Sequence, residues 1–309
     1  MQEIKDLSDR IQSNVEKVII GKTLIVQLIL AAVFCEGHVL IDDVPGVGKT
    51  MLARAISKSL GLSFRRIQFT PDLLPSDILG VNVYNQKTGD FEFKPGPILS
   101  QVVLADEINR GTPKTQSSLL ECMEEKQISV DGMTWKTPRP FLVIATQNPI
   151  EHYGTFPLPE AQVDRFLLRV HLGYPSIEEE KRVILDQKLH HPIDAVTPVV
   201  SSDELSTIQT KVKEIHVEES VQNYIVQLVE ETRKEERLFL GSSPRGSLAL
   251  YKVSQAYAGI HGRDYVIPDD VKQVALPVLA HRLIPRGIRT WEASEEILKS
   301  ILLKLPVPV

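Results

Sequence analysis

One short segment constrains the fold of this chain more than any other. Residues 38–60, HVLIDDVPGVGKTMLARAISKSL, pass from a mostly apolar run through a turn with two glycines into a helical stretch. A short apolar run without polar alternation is typical of a strand that is buried on both faces. A strand, a glycine-containing turn and a helix in this order predict a parallel sheet flanked by helices.

The surrounding chain repeats this alternation. Further strands are predicted at residues 63–69, 101–105 and 140–146, and helices at residues 50–60 and 114–125. Two helices precede them: one carries Ile4, Leu7, Ile11, Val15 and Val18 at helical spacing, and the next runs from Thr23 to Cys35. We therefore expect an α/β domain over residues 1–173.

Two segments interrupt this rhythm. Residues 71–98 contain VNVYNQKTGDFEF, which predicts a hairpin with Gly89 at its tip. Residues 126–139 alternate apolar and polar side chains about Asp131-Gly132, a dipeptide typical of tight hairpin turns. Both segments are insertions that a plain parallel sheet does not require.

The chain changes character after residue 173. Pro175 and Ser176 are suited to the start of a helix, and the acidic segments at 201–205 and 267–271 are suited to helix first turns. We expect an all-α second domain over residues 174–309, with helices at 177–190, 202–215, 218–236, 244–260, 268–282 and 293–304.

Composition excludes several classes of protein. The formal net charge of −5 makes a dedicated nucleic-acid binder unlikely, because no chain-wide basic field is present. The longest apolar run, Leu24 to Cys35, is interrupted by Gln27 and is shorter than the roughly 20 residues of a membrane span. The charged first residues lack the apolar segment of a signal peptide, so we expect a cytoplasmic protein.

The glycine turn itself predicts a phosphate site. IDDVPGVGKT, residues 41–50, follows the pattern G-x-x-x-x-G-K-[ST] except that Asp43 replaces the first glycine. Backbone N–H groups at such a helix N-terminus converge on an anion. Lys49 would reach the β and γ phosphates of a nucleotide, and the Thr50 hydroxyl would bind Mg²⁺.

Other candidate residues follow two of the predicted strands. Asp106 and Glu107 end QVVLADE, where Asp106 is suited to binding Mg²⁺ and Glu107 to acting as general base on water. Asn148 ends FLVIATQN and could bind the γ-phosphate or the attacking water, although Asn-Pro is also a common turn.

Two arginines complete the candidate set. Arg165 lies in LPEAQVDRF, and Arg245 lies in the first turn of a predicted helix, where a cation opposes the helix dipole. That unfavourable placement hints at an anionic ligand. An ordinary salt bridge is the alternative for each.

These segments in this order, DDVPGVGKT, LADEINR, ATQNPIEHYGTFPLPEAQVDRFLL and GSSPRGSLAL, resemble the MoxR family of AAA+ ATPases over essentially the whole chain. The resemblance implies a nucleotide-binding domain followed by a helical lid, with ATP and Mg²⁺ as cofactors and hydrolysis of the β–γ phosphoanhydride. It assigns Asp106 to the metal, Glu107 to the base, Asn148 to the first sensor, Arg165 to an arginine finger and Arg245 to the second sensor. The predicted nucleotide-binding set is Gly46, Val47, Gly48, Lys49, Thr50 and Met51.

The resemblance also implies an assembly and partners. It predicts a ring, with a hexamer as the expected size, that remodels or activates partner proteins, among them proteins with von Willebrand factor A domains. The two insertions fit the helix-2-insert subgroup, whose loops face a central pore, although both could be plain surface hairpins. A nucleotide-dependent switch with little turnover, a chelatase subunit and a DNA translocase remain the alternatives. Whether Arg245 serves its own nucleotide or a neighbour's stays open.

Overall fold

The central element is a five-stranded parallel sheet in the order β2-β5-β8-β1-β9. The computed structural model describes residues 1–148, 154–186, 191–287 and 290–308. The five strands are β1 (Val39–Asp42), β2 (Phe64–Gln68), β5 (Val102–Asp106), β8 (Leu142–Gln147) and β9 (Leu168–Val170). The predicted parallel sheet is confirmed.

Both faces of the sheet are covered, as its unbroken apolar runs predict. On β1, Val39 and Ile41 pack into one hydrophobic core and Leu40 into the other. The first core continues into the N-terminal and C-terminal helices, and the second lies under the two insertions. Because all strands run in the same direction, their carboxyl ends form one edge of the sheet and their amino ends the other.

The fifth strand, β9, was not predicted. It has three residues, Leu168–Val170, and pairs with β1 through Leu168 and Val39. Arg169 interrupts its apolar run, so neither a continuous run nor a clear alternation marks it in the sequence. Pairing with β1, rather than local propensity, makes this segment a strand.

The helices of the first 173 residues largely follow the predicted bounds. They are α1 (Gln2–Val15), α2 (Thr23–Phe34), α3 (Lys49–Ser59), α4 (Pro75–Leu79), α5 (Pro113–Glu125) and α6 (Glu160–Val163). Val18 lies beyond the end of α1, so the first helix is shorter than predicted. Thr112 caps α5, since its hydroxyl accepts a hydrogen bond from the N–H of Thr115 at 3.4 Å.

Both predicted hairpins are present and they contact each other. The first pairs β3 (Gly80–Asn85) with β4 (Asp90–Pro95), and the second pairs β6 (Gln127–Val130) with β7 (Met133–Lys136). Phe93 stacks on Trp135 with 3.9 Å between ring centroids. Asn82 donates a hydrogen bond to Asp131 at 2.7 Å. The two insertions therefore form one composite unit beside the sheet.

The C-terminal part is mainly helical. Its helices are α7 (Ile177–Asp186), α8 (Ser202–Val212), α9 (Glu219–Lys234), α10 (Pro244–Ile260), α11 (Pro268–Leu279) and α12 (Trp291–Lys304). A 3₁₀ turn over Ala280–Arg282 ends the predicted helix 268–282. Residues 187–190 of the predicted first helix lie outside the described residues.

The prediction of an all-α second domain missed a two-stranded ribbon. The strands β10 (Leu238–Leu240) and β11 (Ile284–Pro285) pair antiparallel between helices. Strands of three and two residues are too short for a periodic pattern in the sequence.

Helices from the two ends of the chain pack on each other. Gln209 of α8 donates a hydrogen bond to the carbonyl of Val33 in α2 at 2.8 Å. A Cβ on Gly259 of α10 would lie 3.2 Å from Ile4 of α1, so these helices touch closely. No described helix has both the length and the apolar character that crossing a membrane requires.

Candidate active site

The phosphate loop, residues 43–50, joins the carboxyl end of β1 to the N-terminus of α3. Gly46 and Gly48 adopt φ values of 87° and 90°, which side-chain-bearing residues rarely take. A Cβ on Gly46 would meet no atom within 4 Å, so the backbone conformation, and not crowding, requires glycine there. The loop is open on that side and presents the first N–H groups of α3, as a phosphate cradle requires.

Three other residues of the predicted nucleotide set lie on this loop and helix. Lys49 is buried and donates hydrogen bonds to the carbonyls of Asp43 at 2.6 Å and Gln147 at 3.2 Å. Val47 and Met51 are partly buried against the larger hydrophobic core. The lysine is therefore held at the mouth of the loop by backbone carbonyls of β1 and β8.

Asp43, which replaces the first glycine of the general pattern, anchors the loop. One carboxylate oxygen accepts hydrogen bonds from the N–H groups of Leu172 and Gly173, both at 2.7 Å. The other accepts from the N–H of Val44 at 2.8 Å. These three bonds tie the start of the loop to the segment after β9, so the aspartate supports the cradle.

Asp42, one residue earlier, joins the root of the loop to the last helix. It pairs with Arg169 of β9, whose guanidinium lies 4.3 Å from the ring centroid of Trp291 at the start of α12. Burial lowers the pKa of Arg169 to about 10. The sequence analysis singled out none of these three residues.

Thr50 and Asp106 lie close enough to share a metal ion. The Thr50 hydroxyl is 3.4 Å from a carboxylate oxygen of Asp106. Hydroxyl and carboxylate oxygens are the ligands that Mg²⁺ prefers, and bound phosphates and water complete its shell. The same Asp106 oxygen accepts hydrogen bonds from Arg66 of β2, at 2.9 Å and 2.7 Å. The residues fit Mg²⁺, and an arriving ion would compete with Arg66.

Glu107 adopts a strained backbone conformation directly after β5. Its φ is 56°, an uncommon value for a residue other than glycine, and such outliers cluster at functional sites. Its side chain accepts hydrogen bonds from Gln68 at 2.8 Å and from Arg110 at 3.0 Å. A base role requires at least one lone pair of this carboxylate to turn towards water.

Thr146 fixes both acids and was missed by the sequence analysis. It is fully buried on β8, donates a hydrogen bond to Asp106 at 2.6 Å and accepts one from the N–H of Glu107 at 2.8 Å. Asn148, two residues later, is buried at the same edge of the sheet. Residues 149–153 of the same motif lie outside the described residues.

Arg165 and Arg245, here called the arginine pair, lie away from the phosphate loop. Arg165 precedes β9, and the N–H of Leu167 bonds the carbonyl of His38, just before β1, at 2.8 Å. Arg165 is therefore at the amino edge of the sheet, whereas the phosphate loop is at the carboxyl edge. Strands of three to four residues at about 3.3 Å per residue separate the two edges by on the order of 10 Å.

One carboxylate binds both members of the arginine pair. Glu124, at the end of α5, accepts from Arg165 at 3.1 Å through one oxygen and pairs with Arg245 through the other. Each of these side chains is partly exposed, so the contacts are exchangeable for another anion. The pair lines a recess of about 280 Å³.

Asp164 connects the arginine pair to the C-terminal part of the chain. Its carboxylate accepts a hydrogen bond from Arg282 at 2.8 Å and lies 3.9 Å from Arg245. Arg282 also donates to the carbonyl of Phe166 at 2.8 Å, and burial lowers its pKa to about 10. The 3₁₀ turn after α11 thus holds the segment that carries Arg165.

The two cysteines contribute no reactive thiol. Burial raises the pKa of Cys35 and of Cys122 to about 12, and both are free. A thiol is nucleophilic only as the thiolate, so neither residue is suited to catalysis at neutral pH. The site chemistry belongs to the phosphate loop, the two acids and the arginines.

Comparison with known proteins agrees with this geometry. Residues 38–168 match the ATPase family associated with various cellular activities (AAA), and residues 230–301 match the AAA lid domain. The uncharacterized protein YeaC of Bacillus subtilis (strain 168) is 49% identical over 310 residues, covering 100% of this chain and 97% of that protein. Chaperone MoxR1 of Mycobacterium tuberculosis is 42% identical over 280 residues, covering 88% of this chain and 74% of that protein.

A solved structure agrees as well. The crystal structure of a protein from Cytophaga hutchinsonii, assigned as an ATPase, superposes with a TM-score of 0.89 at 37% identity and covers 100% of this chain and 98% of that one. Sequence relatives, domain order and fold lead to the same conclusion. The chain belongs to the MoxR family of AAA ATPases.

Proposed function

We propose that the protein is a ring-forming, Mg²⁺-dependent ATPase in which each subunit completes the nucleotide site of its neighbour. The observation that carries this proposal is the separation of the phosphate loop from the arginine pair. A chain whose phosphate cradle and whose anion-seeking arginines lie at opposite edges of one sheet cannot bring them to the same phosphate by itself. A second copy can.

The residues divide the chemistry among them. The N–H groups of the phosphate loop and Lys49 bind the phosphates, and Thr50 with Asp106 would hold Mg²⁺, which neutralises phosphate charge when bound. Glu107 takes a proton from the attacking water, and Asn148 orients that water or the γ-phosphate. Arg165 and Arg245 reach the neighbour's γ-phosphate and stabilise the charge that develops as the bond breaks.

The client is proposed to be another protein. Among the relatives, MoxR1 is named a chaperone, and we carry a chaperone-like remodelling role over to this chain. We place the composite unit of two hairpins at the central pore of a hexamer, as in the helix-2-insert subgroup. Proteins with von Willebrand factor A domains are the proposed partners.

Turnover as a function of protein concentration tests this proposal. We expect ATP hydrolysis per mole of chain to rise across a hundredfold concentration range and to require Mg²⁺. Because an arginine finger supplied in trans is worth about 10³–10⁵ in rate, Arg165→Ala should abolish most of the activity. Specific activity that stays flat on dilution would contradict the ring.

Mixed subunits test the direction of the contact. Arg165→Ala keeps its own site but gives no finger, whereas Glu107→Gln gives a finger but lacks its own base. Each variant alone should be nearly inactive, and mixing them should restore part of the turnover. If mixing restores nothing while both variants assemble, the arginine does not act on a neighbour.

A switch with little turnover is the second candidate. It is favoured by the contacts of Glu107 with Gln68 and Arg110 and of Asp106 with Arg66, which engage both acids. ATP binding and hydrolysis should be compared in the parent and in Glu107→Gln. If both bind ATP and the assembled parent is as inert as the variant, the switch is the function.

A further inference from the structure

Helix α7 lies beside the phosphate loop. It starts a few residues after Leu172 and Gly173, whose N–H groups bind Asp43. Lys22 donates a hydrogen bond to the carbonyl of Tyr174 at 3.1 Å. The carboxylate of Glu179 lies against Gly21, where a Cβ would find it 1.5 Å away. These contacts fix the first turn of α7 at the carboxyl edge of the sheet.

The outer face of α7 is apolar and uncovered. None of the residues Ile177–Asp186 is buried. Four side chains are strongly exposed: Tyr174 at 74%, Ile177 at 73%, Ile184 at 67% and Leu185 at 69%. At 100° per residue they fall within one arc of about 100°, and we call them the apolar stripe.

The opposite side of α7 faces the protein. Glu179 and Val183, which lie across the helix from the apolar stripe, are half-buried. The helix therefore packs on its own chain through a mostly polar side and points its apolar side away. A helix in a monomer normally does the reverse, so a contiguous exposed stripe of this kind marks a contact with another molecule.

A matching surface surrounds the arginine pair. On α10, Leu248 is 60% exposed and lies one turn after Arg245, and Lys252 follows on the same face. The apolar stripe is flanked by the exposed acids Glu178 and Glu180. One surface is thus apolar with acidic flanks, and the other presents a leucine between two cations.

We propose that the apolar stripe of α7 is the docking surface for a second copy of this chain, and that the face of α10 with Arg245, Leu248 and Lys252 lies on it. The inference rests on the proposed function, because a neighbour that places its Arg245 at this phosphate loop also brings its Leu248 to the elements beside the loop. It adds the contact that holds the two copies together. The helix is a dimerisation element of the nucleotide site.

A single charge on the apolar stripe tests the inference. In Ile184→Lys the self-assembly midpoint, measured by sedimentation velocity with ATP and Mg²⁺, should rise at least about tenfold, because docking would bury a lysine among apolar groups. The midpoint for ATP turnover should rise with it. Melting temperature should not change, since the side chain is exposed. The control Leu303→Lys, on α12 at 88% exposure, should leave both midpoints unchanged.

A cysteine pair tests which surfaces meet. Cys35 and Cys122 are replaced by alanine, and Ile184→Cys and Leu248→Cys are combined in one chain. A short bis-maleimide should then link chains into a ladder longer than dimers. Chains with either cysteine alone should give no such ladder.

The outcomes separate the docking surface from the function. If the parent assembles and Ile184→Lys assembles at the same concentration, or if the cysteine pair gives no ladder under assembling conditions, the docking surface is wrong and the ring stands. If the parent remains monomeric with flat specific activity, both are wrong.

Discussion

At the scale of single residues, Thr146 makes a prediction about the two acids of the site. Thr146→Val keeps the shape but removes both hydrogen bonds and leaves the N–H of Glu107 without its partner. We expect a loss of about 1–3 kcal/mol in the free energy of unfolding. Turnover should fall about 10–100-fold, as when a supporting hydrogen bond to a metal-binding carboxylate is lost. Urea unfolding and steady-state ATPase assays measure the two effects.

The matched control is Thr146→Ser, which keeps the hydroxyl and should retain most of the activity. If valine and serine behave alike, the hydroxyl has no part in holding Asp106 and Glu107.

Asp43 leads to a prediction against the general sequence pattern. Asp43→Gly restores the glycine of that pattern, yet it removes the acceptor of three backbone N–H groups. We expect it to destabilise the fold by about 1–3 kcal/mol and to weaken ATP binding. Asp43→Asn keeps one acceptor oxygen and should lie between the parent and glycine in urea unfolding and ATP titration. A glycine variant as stable as the parent would show that the anchor is dispensable.

At the scale of elements, the contact between the two hairpins can be measured directly. Phe93 of β4 and Trp135 of β7 stack across the insertions. A double-mutant cycle with Phe93→Leu and Trp135→Leu should give a coupling of about 0.5–1.5 kcal/mol in the free energy of unfolding. The cycle of Phe91→Leu with Trp135→Leu is the control, since Phe91 packs on Tyr84 instead. Equal coupling in both cycles would contradict a specific stack.

The elements also show how far sequence reasoning extends. Buried strands and helices follow from apolar runs and helical spacing, and the hairpin of residues 126–139 follows from its Asp-Gly turn. Strand β9 and the ribbon of β10 and β11 were missed because tertiary pairing creates them. The phosphate loop and Asp106-Glu107 are contiguous motifs and could be found. Thr146, Glu124 and Arg282 could not, because each acts on residues far along the chain.

At the scale of the whole molecule, buried histidines predict acid sensitivity. Burial, with a smaller contribution from the charge of Lys126, lowers the pKa of His38 to about 4. Burial also lowers the pKa of His281. The unfolded chain, with an ordinary pKa near 6.5, binds the proton first, so stability should be constant above about pH 6.5 and fall as pH decreases towards 4.

The expected loss from His38 alone is on the order of 3 kcal/mol between these limits. Urea unfolding between pH 7.5 and 4.5 measures it, and His38→Gln, which does not titrate, should flatten the curve. An unchanged slope in that variant would assign the acid sensitivity to other groups.

The placement of the phosphate loop and the arginine pair at opposite edges of the sheet has an arithmetic consequence. If a working site needs one edge from each of two chains, an open row of n subunits holds n − 1 working sites. The last subunit to join closes the row and adds two contacts at once, so it contributes two sites instead of one. A chain that has lost both functions silences two sites, its own and its neighbour's. Inactive subunits mixed into the parent should therefore reduce turnover faster than their mole fraction.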